Sequence, residues 1–289
     1  MSKQQSLDHH YIPQFYLRRW AGPDGLICEF SRPHRRVVTQ SKSPKAAGFQ
    51  RHLYTVTGLP EGEQSILEDD FFRRTDQIAH DALRFMLGNG GGDQDMPSKL
   101  RSGWSRFILS LTHRSPERVA LLKEKCRREL PAHLAKIEAL YDELRTPWDP
   151  PTFAQLRAEM EHDVEHKTWA VLLQDVIDSE TVGMFLNQMR WAVVTVGGAV
   201  VHPFLTSDRP IYMTNGIKHP EGQIIMPVGP TQMFVAVNTP EMMAILQRWD
   251  PRELMRAVND KVVAQAQKYV YGTDDRQLRF VENRLGRDR

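Results

Sequence analysis

Two cysteines in 289 residues leave little room for covalent cross-linking. Cys28 and Cys126 lie far apart with no Cys-x-x-Cys spacing, which argues against a disulfide framework or a zinc knuckle and fits a reducing, cytoplasmic setting. No run approaches the roughly 18 apolar residues of a membrane span. The opening Met1 to Asp8 carries no apolar stretch of the secretory kind, so the expectation is a chain neither secreted nor inserted in a membrane. Walker loops, GxGxxG turns and GxSxG elbows are also missing. The glycine-rich Gly88-Asn89-Gly90-Gly91-Gly92 lacks the lysine and preceding strand of a phosphate cradle and reads as a flexible loop, which disfavours nucleotide-driven chemistry. With a formal net charge of +2, neither sign of charge dominates, so any nucleic-acid site must be local.

What is present is an ordinary globular composition, with 40% hydrophobic residues to build a core. We expect one α+β domain over residues 1–289, made of an N-terminal arm and small hairpin, a mainly helical middle at about 64–191 and an antiparallel sheet at about 192–238 with closing helices. The hairpin is drawn from Leu26 to Phe30 and Val37 to Thr39 around the basic turn Arg32 to Arg36. The apolar spacing of Ile66, Leu67, Phe71, Ile78, Ala82, Leu83 and Met86 gives a first helix, and Ser98 to His113 gives a second. Ser115-Pro116-Glu117 starts a third as N-cap, N1 and acidic first turn, which Pro131 is expected to break or kink. Phe153 to Ile177 and Ser179 to Trp191 follow as helices. β-Branched runs at 192–196, 199–201, 210–213, 223–226 and 233–237 make the sheet. Helices capped by Thr239 and Asp250 close it, and Glu282 to Arg289 reads as a frayed end.

The densest chemistry is His9-His10-Tyr11-Ile12-Pro13-Gln14-Phe15-Tyr16-Leu17-Arg18-Arg19-Trp20. A helix starting near Pro13 places Gln14 and Arg18 on one face, so His10, Gln14 and Arg18 are expected to line a pocket. An imidazole moves a proton near neutral pH, an amide orients a ligand and a guanidinium grips phosphate or carboxylate. The competing reading is a docked segment with His10 hydrogen-bonded inside. Phe204-Leu205-Thr206-Ser207-Asp208-Arg209-Pro210 is the second such stretch, placing a carboxylate and hydroxyls at a strand end. Either they serve a ligand, or Asp208 merely satisfies the amides of a turn.

His10, Pro13 and Leu17 form a His-x-x-Pro-x-x-x-Leu signature that resembles the opening of the bacterial domain-of-unknown-function family numbered 4238. The resemblance extends weakly through Pro44 to Tyr54, and then through the Phe-x-Thr-Ser-Asp-x-Pro stretch and Met226-Pro227-Val228-Gly229-Pro230. It also keeps Glu68 and Arg114 among the candidates. Glu68 otherwise reads as one of three acids complementing a helix start, and Arg114 as a cation facing the carbonyls of a helix end.

The leading expectation is a hydrolase of phosphodiester bonds, a nuclease or phosphodiesterase suited to bacterial conflict or defence. His10, Asp208 and Glu68 would be catalytic, with Gln14, Arg18, Arg114, Ser207 and Arg209 holding substrate. The two motifs should then meet in space. The cofactor is left unknown, with a divalent metal open as a partner of His10 and Asp208. The alternative is a non-catalytic module that binds nucleic acid, nucleotide or protein. His162-Asp163-Val164-Glu165-His166 has the H-x-x-E-H spacing of inverted zinc peptidases, but it lies in a very polar run, so both histidines are expected to face solvent without metal.

Overall fold

The computed structural model describes residues 7–57, 59–60, 63–160, 164–197 and 202–288, with backbone alone at 160 and 164–166. Its first element, β1 (Asp8–His10), pairs antiparallel with β4 (Phe49–Arg51), so the expected arm is an edge of a two-stranded sheet. Between them lie α1 (Gln14–Leu17), which continues as a 3-10 turn over Arg18–Trp20, and the expected hairpin, β2 (Ile27–Ser31) with β3 (Val38–Lys42). Gly48 closes this region. It sits at φ +64, accepts the amides of Tyr11 and Ile12 on its carbonyl, and leaves only 2.9 Å between an added Cβ and Ile12 Cβ, so the motif docks where only glycine fits.

A π-helical turn, Leu67–Phe72, leads into α2 (Arg73–Gly88), which packs on α3 (Ser98–His113). Then come α4 (Pro116–Leu144), α5 (Phe153–Met160), α6 (Val164–Ile177) and α7 (Glu180–Gln188). Ser115 caps α4 as expected, but Pro131 does not break it. Its ring and the carbonyl it deprives of a donor lie on an exposed stretch, where solvent can satisfy that carbonyl. The long segment 153–177 is two helices, flanking residues outside the description. The end of the expected 179–191 helix is strand: Trp191 belongs to β5 (Arg190–Thr195), and its indole N–H donates to the Leu186 carbonyl.

β5 opens an antiparallel sheet ordered β5, β9 (Gln232–Val237), β8 (Gln223–Gly229), β7 (Tyr212–Thr214), as the β-branched runs imply. The run expected at 199–201 lies outside the described residues. Thr206–Ser207 is a short strand, β6, in a separate sheet ordered β3, β2, β10 (Tyr269–Gly272), β6. α8 (Pro240–Arg248) and α9 (Pro251–Ala264) start at their foreseen caps, Thr239 and Asp250. The end is not frayed: α10 (Leu278–Glu282) is followed by buried Leu285, and Arg32 donates to the Glu282 carbonyl.

Tyr16, Leu17 and Trp20 are fully buried in a core with Met86, Trp104 and Phe234, so the N-terminal motif is wedged between α2, α3 and the β5–β9–β8–β7 sheet. At about 1.5–3 kcal/mol for each large side chain removed from water, that docking fixes the motif's position. The other face of the sheet packs on α8 and α9 through Val235, Leu246 and Val258. Among the described residues no helix is long and apolar enough to cross a membrane, and both cysteines are buried and free.

Candidate functional site

Strand alternation splits the two histidines of the motif. His9 is fully buried, its Nδ1 accepts the Tyr54 amide at 2.8 Å, and its ring stacks on Tyr54 with centroids 5.6 Å apart. His10 points the other way, half-buried, with Nε2 3.2 Å from the Lys45 carbonyl. A carbonyl only accepts, so in the neutral ring Nε2 carries the proton and Nδ1 is the basic nitrogen. Burial holds His10 below its ordinary value of 6.5, outweighing the pull of the Lys45 carbonyl in the other direction.

One helical turn on, Arg18 Nη2 donates to Gln14 Oε1 at 3.3 Å. His10, Gln14 and Arg18 do line one cavity, of about 820 Å³, together with Glu68. The π turn explains how Glu68 gets there. In an unbroken α-helix it would share a face with Phe72, Thr75 and Ala79, all buried, whereas the extra residue per turn moves it onto the face of Arg73, Asp76, Gln77 and His80, which also line the cavity.

Glu68 Oε1 accepts the His10 amide at 3.3 Å, while Oε2 is buried without a partner. Burial pushes this carboxyl up to about 7, only partly offset by that one amide. Behind the cavity wall lies Arg114, wholly buried. It does not face the carbonyls of its own helix end, as the sequence suggested. Its Nη1 pairs with Asp76 at 2.9 Å, Nε donates to the Tyr11 carbonyl at 3.0 Å, and the guanidinium sits over the Phe72 and Phe107 rings. Nη2 has no partner. Arg114 thus ties α2 to the motif, and removing one member of such a buried pair typically costs roughly 3–5 kcal/mol.

Asp208 is elsewhere. Its oxygens accept the amides of Gln267, Lys268 and Tyr269 at 2.8, 2.6 and 3.1 Å, and it lines a separate cavity of about 190 Å³ with Tyr11 and Lys268. Burial raises it to about 6 against the opposing pull of the three amides. Ser207 is buried and accepts the Arg209 amide at 3.1 Å, and the Arg209 carbonyl accepts Gln265 Nε2 at 2.5 Å. None of these three lines the His10 cavity. The two motifs meet, but through other residues: Tyr16 and Thr206 hydroxyls are 2.7 Å apart, and the Trp20 indole donates to the Phe204 carbonyl at 2.7 Å. The expectation of His10 and Asp208 in one site is therefore corrected. A strand-end carboxylate bonded on both oxygens by backbone amides is held by them and aimed at them.

Lys45, Arg73, Asp76, Gln77 and His80 were missed as cavity residues. A signal existed, since Arg73, Asp76, Gln77 and His80 recur at i, i+3, i+4, i+7 as a polar stripe opposite the apolar one. Among the described residues no group of three or more His, Cys, Asp or Glu is arranged to hold a metal ion. His162 and Asp163 lie outside those residues, as do the side chains of Glu165 and His166.

Fold and cavity together define an α+β protein with a polar pocket assembled on its N-terminal motif. The chain belongs to the family described as Protein of unknown function (DUF4238), whose model matches residues 8–276. Comparison with curated proteins and with solved structures found no match.

Proposed function

We propose that the His10 cavity is an active site that cleaves phosphodiester bonds by general acid–base catalysis. The observation that supports this reading is the meeting of His10, Glu68 and Arg18, brought from a strand, a π turn and a helix end, in one cavity. His10, poised below its ordinary value, is neutral at pH 7 and serves as base through Nδ1. Glu68, raised to about 7, keeps enough of its protonated form to serve as acid. Arg18 and Lys45 supply positive charge for the non-bridging phosphate oxygens, with Gln14 holding the Arg18 guanidinium in place. Asp208, Ser207 and Arg209 have no part in this scheme, and Arg114 acts by fixing Asp76 and the motif backbone.

The order of the two ionisations fixes the pH dependence. Activity needs His10 unprotonated and Glu68 protonated, so kcat/KM on a nitrophenyl phosphodiester should rise through an acid limb below 6.5 and fall through an alkaline limb near 7. His10→Ala should lower turnover by roughly 10² or more with near-native melting, the usual scale for a positioned acid or base. Binding of the diester without conversion by wild type would replace the enzyme with a recognition module.

A further inference from the structure

We propose that the polymer cut at this cavity is single-stranded RNA, and that the attacking group is the RNA's own 2′-hydroxyl. This rests on the phosphodiesterase reading of the His10 cavity and names its substrate. The first support is the kind of groups present. The cavity is lined by two imidazoles, His10 and His80, by the carboxyls of Asp8, Glu68 and Asp76 and by a few cations, while among the described residues no three donors are arranged around a metal position. Such a set can move protons and hold charge, and its imidazole base activates an external water only weakly, enough for a diester with a good leaving group. A substrate that carries its nucleophile beside the phosphorus removes that limit, because a well-oriented intramolecular attack is worth effective molarities of about 10⁵–10⁸ M.

The second support is the lining away from the acid–base pair. Phe15 and His80 face each other edge-on with ring centroids 5.6 Å apart, and Gln14 and Gln77 present amides to the same space. An aromatic platform with neighbouring amides is the chemistry that reads an unstacked base, by stacking and by bonding to its exposed edges. At about 820 Å³ the cavity has room for a nucleotide step of a single strand.

The step balances within these residues. His10 Nδ1 takes the proton of the 2′-hydroxyl, the 2′-oxygen forms its bond to phosphorus, the bond from phosphorus to the 5′-oxygen breaks, and Glu68 gives its proton to that leaving oxygen. The products are a 2′,3′-cyclic phosphate and a 5′-hydroxyl, with imidazolium and carboxylate returning to their starting forms by exchange with water. No oxidant, reductant or external nucleophile enters.

The test uses the full chain in buffer containing EDTA, with an oligoribonucleotide, the all-deoxy strand of the same sequence and a nitrophenyl phosphodiester as probes. The expected result is cleavage of RNA to 2′,3′-cyclic ends, at least 10²-fold slower for the deoxy strand, with the RNA rate lowered by roughly 10² or more in both His10→Ala and Glu68→Gln. Two variants are read because either alone could fold poorly. Equal cleavage of RNA and DNA, 3′-hydroxyl ends, or activity that EDTA abolishes and magnesium restores overturns the RNA inference while leaving a phosphodiesterase. Turnover of the nitrophenyl diester without cleavage of either polymer does the same. Failure on all three probes overturns the phosphodiesterase reading with it.

Discussion

Glu68 and Asp208 are both carboxylates drawn out of water, both are raised above their ordinary values, and the protein treats their oxygens in opposite ways. Asp208 receives three backbone amides, all from the turn entering β10. Glu68 lines the larger cavity and receives one amide, on one oxygen, while its second oxygen is buried without a partner. A carboxylate bonded on both oxygens by backbone amides is engaged in holding the chain. A half-satisfied carboxylate keeps its proton near neutral pH and can still exchange it. The same contrast separates the neighbouring histidines, His9 stacked and bonded inside and His10 turned to the cavity.

The sharpest way to break this contrast is to remove the carboxylate that holds the chain. Asp208→Ala should cost roughly 2–4 kcal/mol in urea unfolding, since it removes the acceptor of three part-buried amides at about 1 kcal/mol each. A loss below about 1 kcal/mol would mean that the amides find water and that Asp208 is not structural. Next in size is the histidine pair. His9→Ala should cost roughly 2–3 kcal/mol by leaving the Tyr54 amide unpaired and a void beside its ring, and His10→Ala less than about 1 kcal/mol. Equal losses would erase the distinction between the two faces of β1.

The smallest effect is a pH window. Each carboxyl holds its proton more tightly in the folded chain than in the unfolded one, so each contributes stability that is full below its ordinary value and is lost as pH rises through its folded value. For Asp208 that window runs from 3.8 to about 6, and for Glu68 from 4.5 to about 7. Glu68→Gln should therefore flatten the decline of stability between pH 4.5 and 7 by on the order of 1 kcal/mol, the full linkage being reduced by solvent reaching the cavity. Urea midpoints of wild type and variant across that range check it, and a constant difference between them would place Glu68 in ordinary solvent.

Much of this was legible in the residues. The hairpin, the caps at Ser115, Thr239 and Asp250, and the strands of the larger sheet follow from local turn chemistry and alternation, which tertiary packing did not override. The grouping of Gln14 and Arg18 followed from the Pro13 helix start, while His10 joins them in the cavity from β1. The pairing of β6 with β10 was not legible, because a two-residue strand has no period and its partner lies some sixty residues on. The π turn escaped for a related reason. Leu67 to Phe72 scans as plain helix, and only packing shows the extra residue that turns Glu68 toward the cavity. Asp208 carried two readings that sequence could not separate, since the three amides that decide between them come from Gln267, Lys268 and Tyr269, distant in the chain.

The contrast comes to a point in one paired experiment, turnover per folded molecule and melting temperature for Glu68→Gln and Asp208→Asn on the same phosphodiester. Both substitutions are near-isosteric, so each tests the acid and not the volume. Glu68→Gln should melt within a few degrees of wild type and lose turnover by roughly 10² or more. Asp208→Asn should melt well below wild type and keep wild-type turnover in its folded fraction. The opposite pairing, with an active Glu68→Gln and a stable but inactive Asp208→Asn, would place the chemistry in the smaller cavity and contradict the assignment.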